Sequence, residues 1–168
     1  MIVSILPIAR LQFDRVNYYT VKIEGRTSSE FADFQRRMSN ERDGRELAEL
    51  NRYIERIGDR YGAYPNHFKD EDAAERLPPP YHKFIETDEP DNYGIRLYCI
   101  RLTPSIVILL NGDRKTALKV KDCSNCYRHF DLARTLSKKI TEAINDGDIE
   151  LNEETKEIEI AEDFELTI

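Results

Sequence analysis

Residues 95–112, IRLYCIRLTPSIVILLNG, constrain the fold more than any other stretch of the chain. Ile106–Leu110 is apolar at every position. A strand with one wet face alternates, so an unbroken apolar run of this length predicts a strand buried on both faces. Ile95–Leu102 predicts a partner strand, joined to it through the tight turn Thr103-Pro104-Ser105. Asn111-Gly112 predicts the end of the second strand, with a basic loop after it.

The rest of the chain supplies elements to pack on this pair. Val16–Glu24 alternates, with Tyr19, Val21 and Ile23 on one face, and Gly25 closes it. Ile2–Phe13 adds a strand broken by Pro7. Thr27-Ser28-Ser29-Glu30 has the form of a capping box, a hydroxyl with a carboxylate three residues on. Phe31, Phe34 and Met38 follow at helical spacing. A second helix is predicted over Arg45–Tyr61, where Leu47, Leu50, Ile54, Ile57 and Tyr61 step by three and four and Gly62 caps the end. The two helices read as an antiparallel hairpin. Residues 63–80, with Pro65, the acidic run Asp70–Asp72 and Pro78-Pro79-Pro80, read as a stiff inserted connector. Tyr81–Glu86 reads as a short strand and residues 89–94 as a turn. A last helix is predicted over Phe130–Asn145, with Phe130, Ala133, Leu136, Ile140 and Ile144 inward. Residues 149–160 read as an acidic hairpin or extended arm. This order predicts an α+β fold: a helical hairpin and a C-terminal helix gathered on one side of a mostly antiparallel sheet. The organisation is a domain over residues 1–145 with an insertion at 63–80, and an acidic end over 146–168.

The chain has 168 residues, of which 40% are apolar and 34% charged, enough for one domain with a densely charged exterior. No stretch approaches the roughly 20 apolar residues of a membrane helix, so no membrane partner is expected. Neither a basic leader nor a cleavage site is legible at the start. The three cysteines read as free thiols in a reducing, cytoplasmic compartment. The net charge of −7 hides a segregation: residues 146–168 hold ten acids and one base, whereas residues 93–145 hold ten bases and four acids. A basic segment before an acidic end suggests a patch that faces a polyanion; the plainer alternative is neutralisation within the fold.

The basic segment carries a resemblance. Arg96, Arg101 and the run Asn111-Gly112-Asp113-Arg114-Lys115-Thr116 at the end of a buried strand, after a strand and two helices, resemble the RelE/ParE toxin superfamily, its HigB-like branch above all. Arg96 and Arg101 match arginines of the family's middle strand. Gly112, Arg114, Lys115 and Thr116 match its glycine–basic–threonine turn. The likeness covers residues 81–144 in detail and the N-terminal half in element order only. The family is usually shorter and overall basic, and the 63–80 insertion and acidic end have no counterpart in it. The resemblance implies a metal-independent endoribonuclease without cofactors, acting on ribosome-bound message, with a small antitoxin protein covering its basic site. Its gyrase-directed branch implies the alternative, a non-catalytic module that binds protein or nucleic acid; an interaction protein with no nucleic-acid role is a third.

Cleavage of RNA by its own 2′-hydroxyl requires that the phosphate be oriented, that growing charge be stabilised, and that protons move. Arginine forks serve the first two needs, and preorganised positive charge usually contributes most to the rate. Arg96 and Tyr98, two apart on a strand, share a face, and Arg101 must point to the other. Arg96, Tyr98, Arg114 and Lys115 are therefore expected to converge, with Tyr98 a sheet tyrosine or a stacking platform for a base. Arg101, Lys119, Lys121 and Arg128 are candidate RNA contacts. His129 is a candidate general acid or base.

Cys123-Ser124-Asn125-Cys126-Tyr127-Arg128-His129 is the rival constellation. With Cys99 it offers four zinc-type ligands but lacks the second close pair that structural zinc favours, so no metal is expected. A redox pair at a helix start, or plain free cysteines in a loop, are the other readings. His67 and His82 stand alone and read as structural or surface residues. No glycine-rich phosphate loop, G-x-S-x-G elbow or H-E-x-x-H is present.

Overall fold

In the computed structural model, which describes residues 1–79 and 94–168, the chain is α+β. Nine strands and three α-helices are seen among the described residues: β1 Ile2–Gln12, β2 Asn17–Ile23, α1 Glu30–Met38, α2 Gly44–Arg56, β3 Lys69–Glu71, β4 Ala74–Leu77, β5 Gly94–Thr103, β6 Ile106–Lys115, α3 Ser124–Asp146, β7 Ile149–Asn152, β8 Glu157–Ile160 and β9 Leu166–Thr167. Seven strands form one sheet in the order β3-β4-β5-β6-β2-β1-β9, and β7-β8 form a separate hairpin. The predicted strand at 81–86 and the turn at 89–93 lie outside the described residues.

The β5–β6 pair is the centre of the sheet, as its apolar content requires. Val107 and Leu109 pack into a core with Phe31, Phe34, Leu47, Leu50 and Ile54 of α1 and α2. Ile106, Ile108 and Leu110 pack into a second core with Ala133, Leu136 and Ile140 of α3. The helices therefore cover both faces, not one: a strand apolar on both sides needs an apolar layer on each.

Every neighbouring strand pair in the large sheet is antiparallel except β2 and β6, which run parallel from Asn17↔Ile106 to Tyr19↔Ile108. After β2 the chain enters α1 on one face, and after β6 it enters α3 on the other. Adjacent parallel strands whose helices leave to opposite faces create a crevice at their carboxyl ends. Arg96 and Lys115 lie near it, at the carboxyl end of β6 and the facing start of β5.

Several boundaries differ from expectation for identifiable reasons. Helix α1 begins at Glu30 with Ser29 as its cap, the Ala32 N–H donating to Ser29 Oγ at 3.2 Å; Glu30 has turned inward and closes no capping box. Helix α2 runs into a π-turn at Ile57–Tyr61, closed by the Gly62 N–H donating to the Ile57 carbonyl at 2.8 Å. The wider turn rotates Tyr61 off the apolar stripe, leaving it exposed. The stiff connector expected at 63–80 instead holds a hairpin, β3–β4, whose second strand pairs with β5 and extends the sheet. Helix α3 starts six residues earlier than its apolar stripe indicates, and the buried Cys126 and His129 continue that stripe.

β6 does not stop at Asn111-Gly112 but continues to Lys115. A bulge shifts the register between Leu97↔Gly112 and Cys99↔Leu109. At Gly112 a Cβ would collide with the backbone carbonyl of Arg96. Gly112→Ala is expected to lower stability by about 1–3 kcal/mol or more, because β5 must move to admit one methyl. A urea titration that leaves the midpoint unchanged would contradict that close approach.

The acidic end is a hairpin that packs on the α3 face, with its tip at the start of β2. Lys156 at its tip donates through Nζ to the carbonyls of Phe13 and Asp14, and its own carbonyl accepts from Tyr19 Oη at 2.9 Å. β9 then pairs with β1 at the sheet edge. Among the described residues no ion pair is seen between residues 146–168 and the basic segment. No described helix is long and apolar enough to cross a membrane.

Candidate functional site

Two polar clusters meet at the end of β6, one cationic and one mixed. The cationic cluster lies on the α3 face. Arg76 on β4 is the register partner of Tyr98 on β5, and Arg96 lies two residues along from Tyr98. Lys115 ends β6 opposite Gly94. Arg76 and Arg96 are buried, and Lys115 is 9% exposed. Arg76 donates to Glu71 Oε1 at 3.0 Å and to the Pro78 carbonyl. Burial pulls the Arg96 guanidinium down to about 10, with Arg76 adding to the effect, so it stays charged at neutral pH. Burial also lowers the Lys115 ammonium, and repulsion from Arg96, Arg76 and Lys69 lowers it further, with Glu71 opposing. Lys115 is thus a lysine adapted to give up a proton more easily than usual.

The four residues expected to converge do so only in part. Arg96, Tyr98 and Lys115 share the α3 face. Arg114 is the register partner of Ile95, whose side chain lies in the α1–α2 core, and it points to that opposite face. There it donates to Asp43 Oδ1 at 2.6 Å and to Glu46. The expectation placed a basic loop directly after Gly112; because residues 113–115 continue β6, alternation sends Arg114 and Lys115 to opposite sides. Arg101 also points away from Arg96, as expected, and pairs with Glu75 at 3.1 Å. Tyr98 is buried and meets the Phe130 ring edge-on at 6.0 Å between centroids. Neither face of its ring is open to a base, so in this structure it is a sheet tyrosine.

Around the start of α3 the surface is basic. Lys119, Lys121 and Arg128 are exposed, and Tyr127 beside them is 40% exposed.

The mixed cluster was not legible as a site. Glu30, Asp33 and Arg37 lie at i, i+3 and i+7 on α1, one polar stripe beside the apolar one. Glu30 is 2% exposed and Asn111 1% exposed. Asn111 Nδ2 donates to Glu30 Oε2 and to Asp33 Oδ2, both at 3.0 Å. Arg37 joins the layers. It donates to Asp33 at 2.8 Å, to Asp113 Oδ2 at 3.0 Å, to Asn111 Oδ1 at 2.5 Å and to the Gly112 carbonyl at 2.6 Å. Its guanidinium also lies 3.5 Å from His129 Nε2 on α3. Asp33 is held well below the usual carboxylate range: burial alone raises it, but hydrogen bonds from Arg37, Asn111 and Arg36 outweigh burial. Asp113, opposite Arg96 in the β5–β6 register, is engaged by Arg37.

His129, the candidate acid or base, is buried at the head of α3. Its Nε2 faces two guanidinium donors, Arg37 and Arg128, the latter at 3.3 Å, so that nitrogen is the unprotonated acceptor. Burial pushes the imidazole down to about 4, and Arg37 and Arg128 add to this. The folded chain therefore binds a proton here less readily than the unfolded chain. His129 contributes stability above pH 6.5 that is progressively lost as pH falls toward about 4. Between those limits the melting temperature of the wild type is expected to fall more steeply than that of His129→Gln. Parallel melting curves across that window would contradict the buried, neutral imidazole.

Among the described residues no group of three His, Cys, Asp or Glu side chains is placed to hold a metal ion. Cys99 lies in the α1–α2 core, whereas Cys123 and Cys126 stand at the head of α3, so the four-ligand zinc reading does not assemble. No protein-family model matches the chain, and no curated protein or solved structure matches it either.

Proposed function

We propose that the chain is a toxin of the RelE/ParE type, an endoribonuclease that cuts ribosome-associated mRNA without calling on a metal, and that a cognate antitoxin restrains it. The observation that carries this reading is the gathering of Arg76, Arg96 and Lys115 on one face of the sheet, with the exposed Lys119, Lys121 and Arg128 in the stretch of chain that follows Lys115. Cations gathered together out of water favour an anion beside them, a place that the Glu71 carboxylate fills at Arg76 and that a phosphate would share or take over. A phosphodiester is the anion whose geometry suits two guanidinium forks and an ammonium.

In this reading Arg96 and Arg76 orient the scissile phosphate and stabilise the charge that grows on its oxygens as the 2′-hydroxyl attacks. Lys115, with its lowered pKa, handles the proton at the attacking or leaving oxygen. Tyr127 replaces Tyr98 as the aromatic on which a base can stack. Arg114 and His129 hold the scaffold, and Arg101 lies on the other face.

Expression of the chain without its antitoxin tests the reading. Growth arrest with message cut at discrete sites on ribosomes is the expected result. Arrest with intact message would favour the non-catalytic, gyrase-directed alternative. Unimpaired growth at full expression would count against both.

A further inference from the structure

We infer that Cys123 and Cys126 are a redox-active dithiol that closes to a reversible disulfide when a small-molecule disulfide such as oxidised glutathione is the oxidant. This covalent modification site does not depend on the nuclease reading.

The pair sits where a strand hands over to a helix. β6 ends at Lys115, residues 116–123 link it to α3 through a short 3-10 turn at Val120–Asp122, and Cys123 is the N-cap residue of the 23-residue helix α3. The Cys123 carbonyl accepts from the Cys126 N–H at 3.1 Å and the Tyr127 N–H at 2.9 Å. The first turn of α3 is therefore wound on Cys123, and both thiols lie within that single turn. The Cys123 sulfur receives the Thr116 backbone N–H at 3.5 Å and lies 3.8 Å from Thr116 Oγ1. As a thiol it donates to Asn125 Oδ1 at 3.1 Å. The Cys126 Sγ lies 3.7 Å from the Asp113 carbonyl.

These contacts divide the roles. Burial alone raises the Cys123 thiol, but the donors from Thr116 and Cys126 outweigh it and hold the group below its ordinary value. Burial, and then Cys123 itself, push Cys126 up. A long helix favours negative charge at its start. An acidified thiol at the helix start with a less acidic partner three residues on divides attack and resolution between them. Both thiols are buried, so an oxidant reaches Cys123 when residues 116–122 lift; Leu118, Lys119, Lys121 and Asp122 of that span are already exposed.

The chemistry balances in two exchanges. The Cys123 thiolate attacks one sulfur of oxidised glutathione, the glutathione S–S bond breaks, and one glutathione thiolate leaves and takes up a proton. The Cys126 thiol loses its proton and attacks the Cys123 sulfur of the mixed disulfide. The second glutathione leaves as a thiol. The two protein thiols are oxidised and one glutathione disulfide is reduced to two thiols.

The test equilibrates the full chain with graded ratios of oxidised to reduced glutathione, then denatures and alkylates it and locates the labelled cysteines by mass spectrometry. The count of alkylatable thiols is expected to fall from three to one, with Cys99, buried in the other core, the one that remains. Excess reduced glutathione should restore three. Cys126→Ser should stop at a mixed disulfide on Cys123, and Cys123→Ser should leave Cys126 unmodified on the same timescale. Three free thiols at every ratio, a disulfide that includes Cys99 or a second chain, or equal glutathione capture by Cys126 in Cys123→Ser would each overturn the inference.

Discussion

Replacing Arg37 by methionine is expected to remove about 3–5 kcal/mol of folding stability, the usual cost of stranding buried charges. Arg37 is 20% exposed and donates to two carboxylates, a side-chain amide and a backbone carbonyl. Methionine fills much of its volume but supplies no donor. Asp33 would keep Asn111 and the exposed Arg36 as donors, and Asp113 the Arg114 backbone N–H, but the guanidinium that bridges the two carboxylates would be gone. The loss should grow as pH rises through the carboxylate range and level off above it, since Arg37 helps hold Asp33 ionised in the native state and that partner is gone. Adding Asp113→Asn to Arg37→Met should recover part of the loss, because the amide removes one stranded charge. Denaturant titration of the two singles and the double measures this; strictly additive losses would show that Arg37 and Asp113 do not act as a pair. Arg37 thereby takes up the carboxylate that lies opposite Arg96 in the register, which ties the mixed cluster to the cationic one.

The second large effect concerns Lys115. If the cationic cluster holds the scissile phosphate, Lys115→Gln should lower the rate of message cleavage by about a hundred- to a thousandfold, the range seen when one preorganised donor to a growing oxyanion is lost. Lys115→Arg separates charge from proton transfer. It keeps the positive charge, and so should bind RNA nearly as well, but arginine gives up no proton at physiological pH and turnover should stay low. Equal cleavage by Lys115→Arg and wild type would remove Lys115 from proton transfer while leaving its electrostatic role. Far-ultraviolet circular dichroism and thermal melts guard against misfolding, which is a lesser hazard at Lys115 than at the more deeply buried Arg96 and Arg76.

The central strands and both long helical stripes were legible because each is a local pattern of apolar positions, whereas residues 149–160 read equally as a hairpin or an extended arm. Three kinds of feature were not legible. The face of each helix depends on which side of β6 it covers, and an all-apolar strand such as Ile106–Leu110 is symmetric in that respect. The fate of Arg114 turned on whether β6 ended at Gly112. Glycine there reads as a turn, yet it is required by the close approach of the Arg96 carbonyl. Arg76 lay in a segment whose prolines read as a connector, and only pairing with β5 brings it beside Tyr98. The cluster of Glu30, Asp33 and Arg37 did leave a signal, an acid–acid–base stripe at helical spacing. It resembles an ordinary solvated face until Asn111 and Asp113, more than 70 residues away, are known to lie against it.

Equilibrium binding of a short single-stranded RNA to the purified chain, followed over a series of salt concentrations, probes the cationic cluster most directly. Saturable binding that weakens with salt is expected, with a shallower salt slope for Lys115→Gln by about one phosphate contact. No change is expected for Arg36→Gln, which alters an exposed cation on α1. Absence of saturable binding at low salt, or an equal loss of binding in Arg36→Gln and Lys115→Gln, would contradict a phosphate-holding role for Arg76, Arg96 and Lys115.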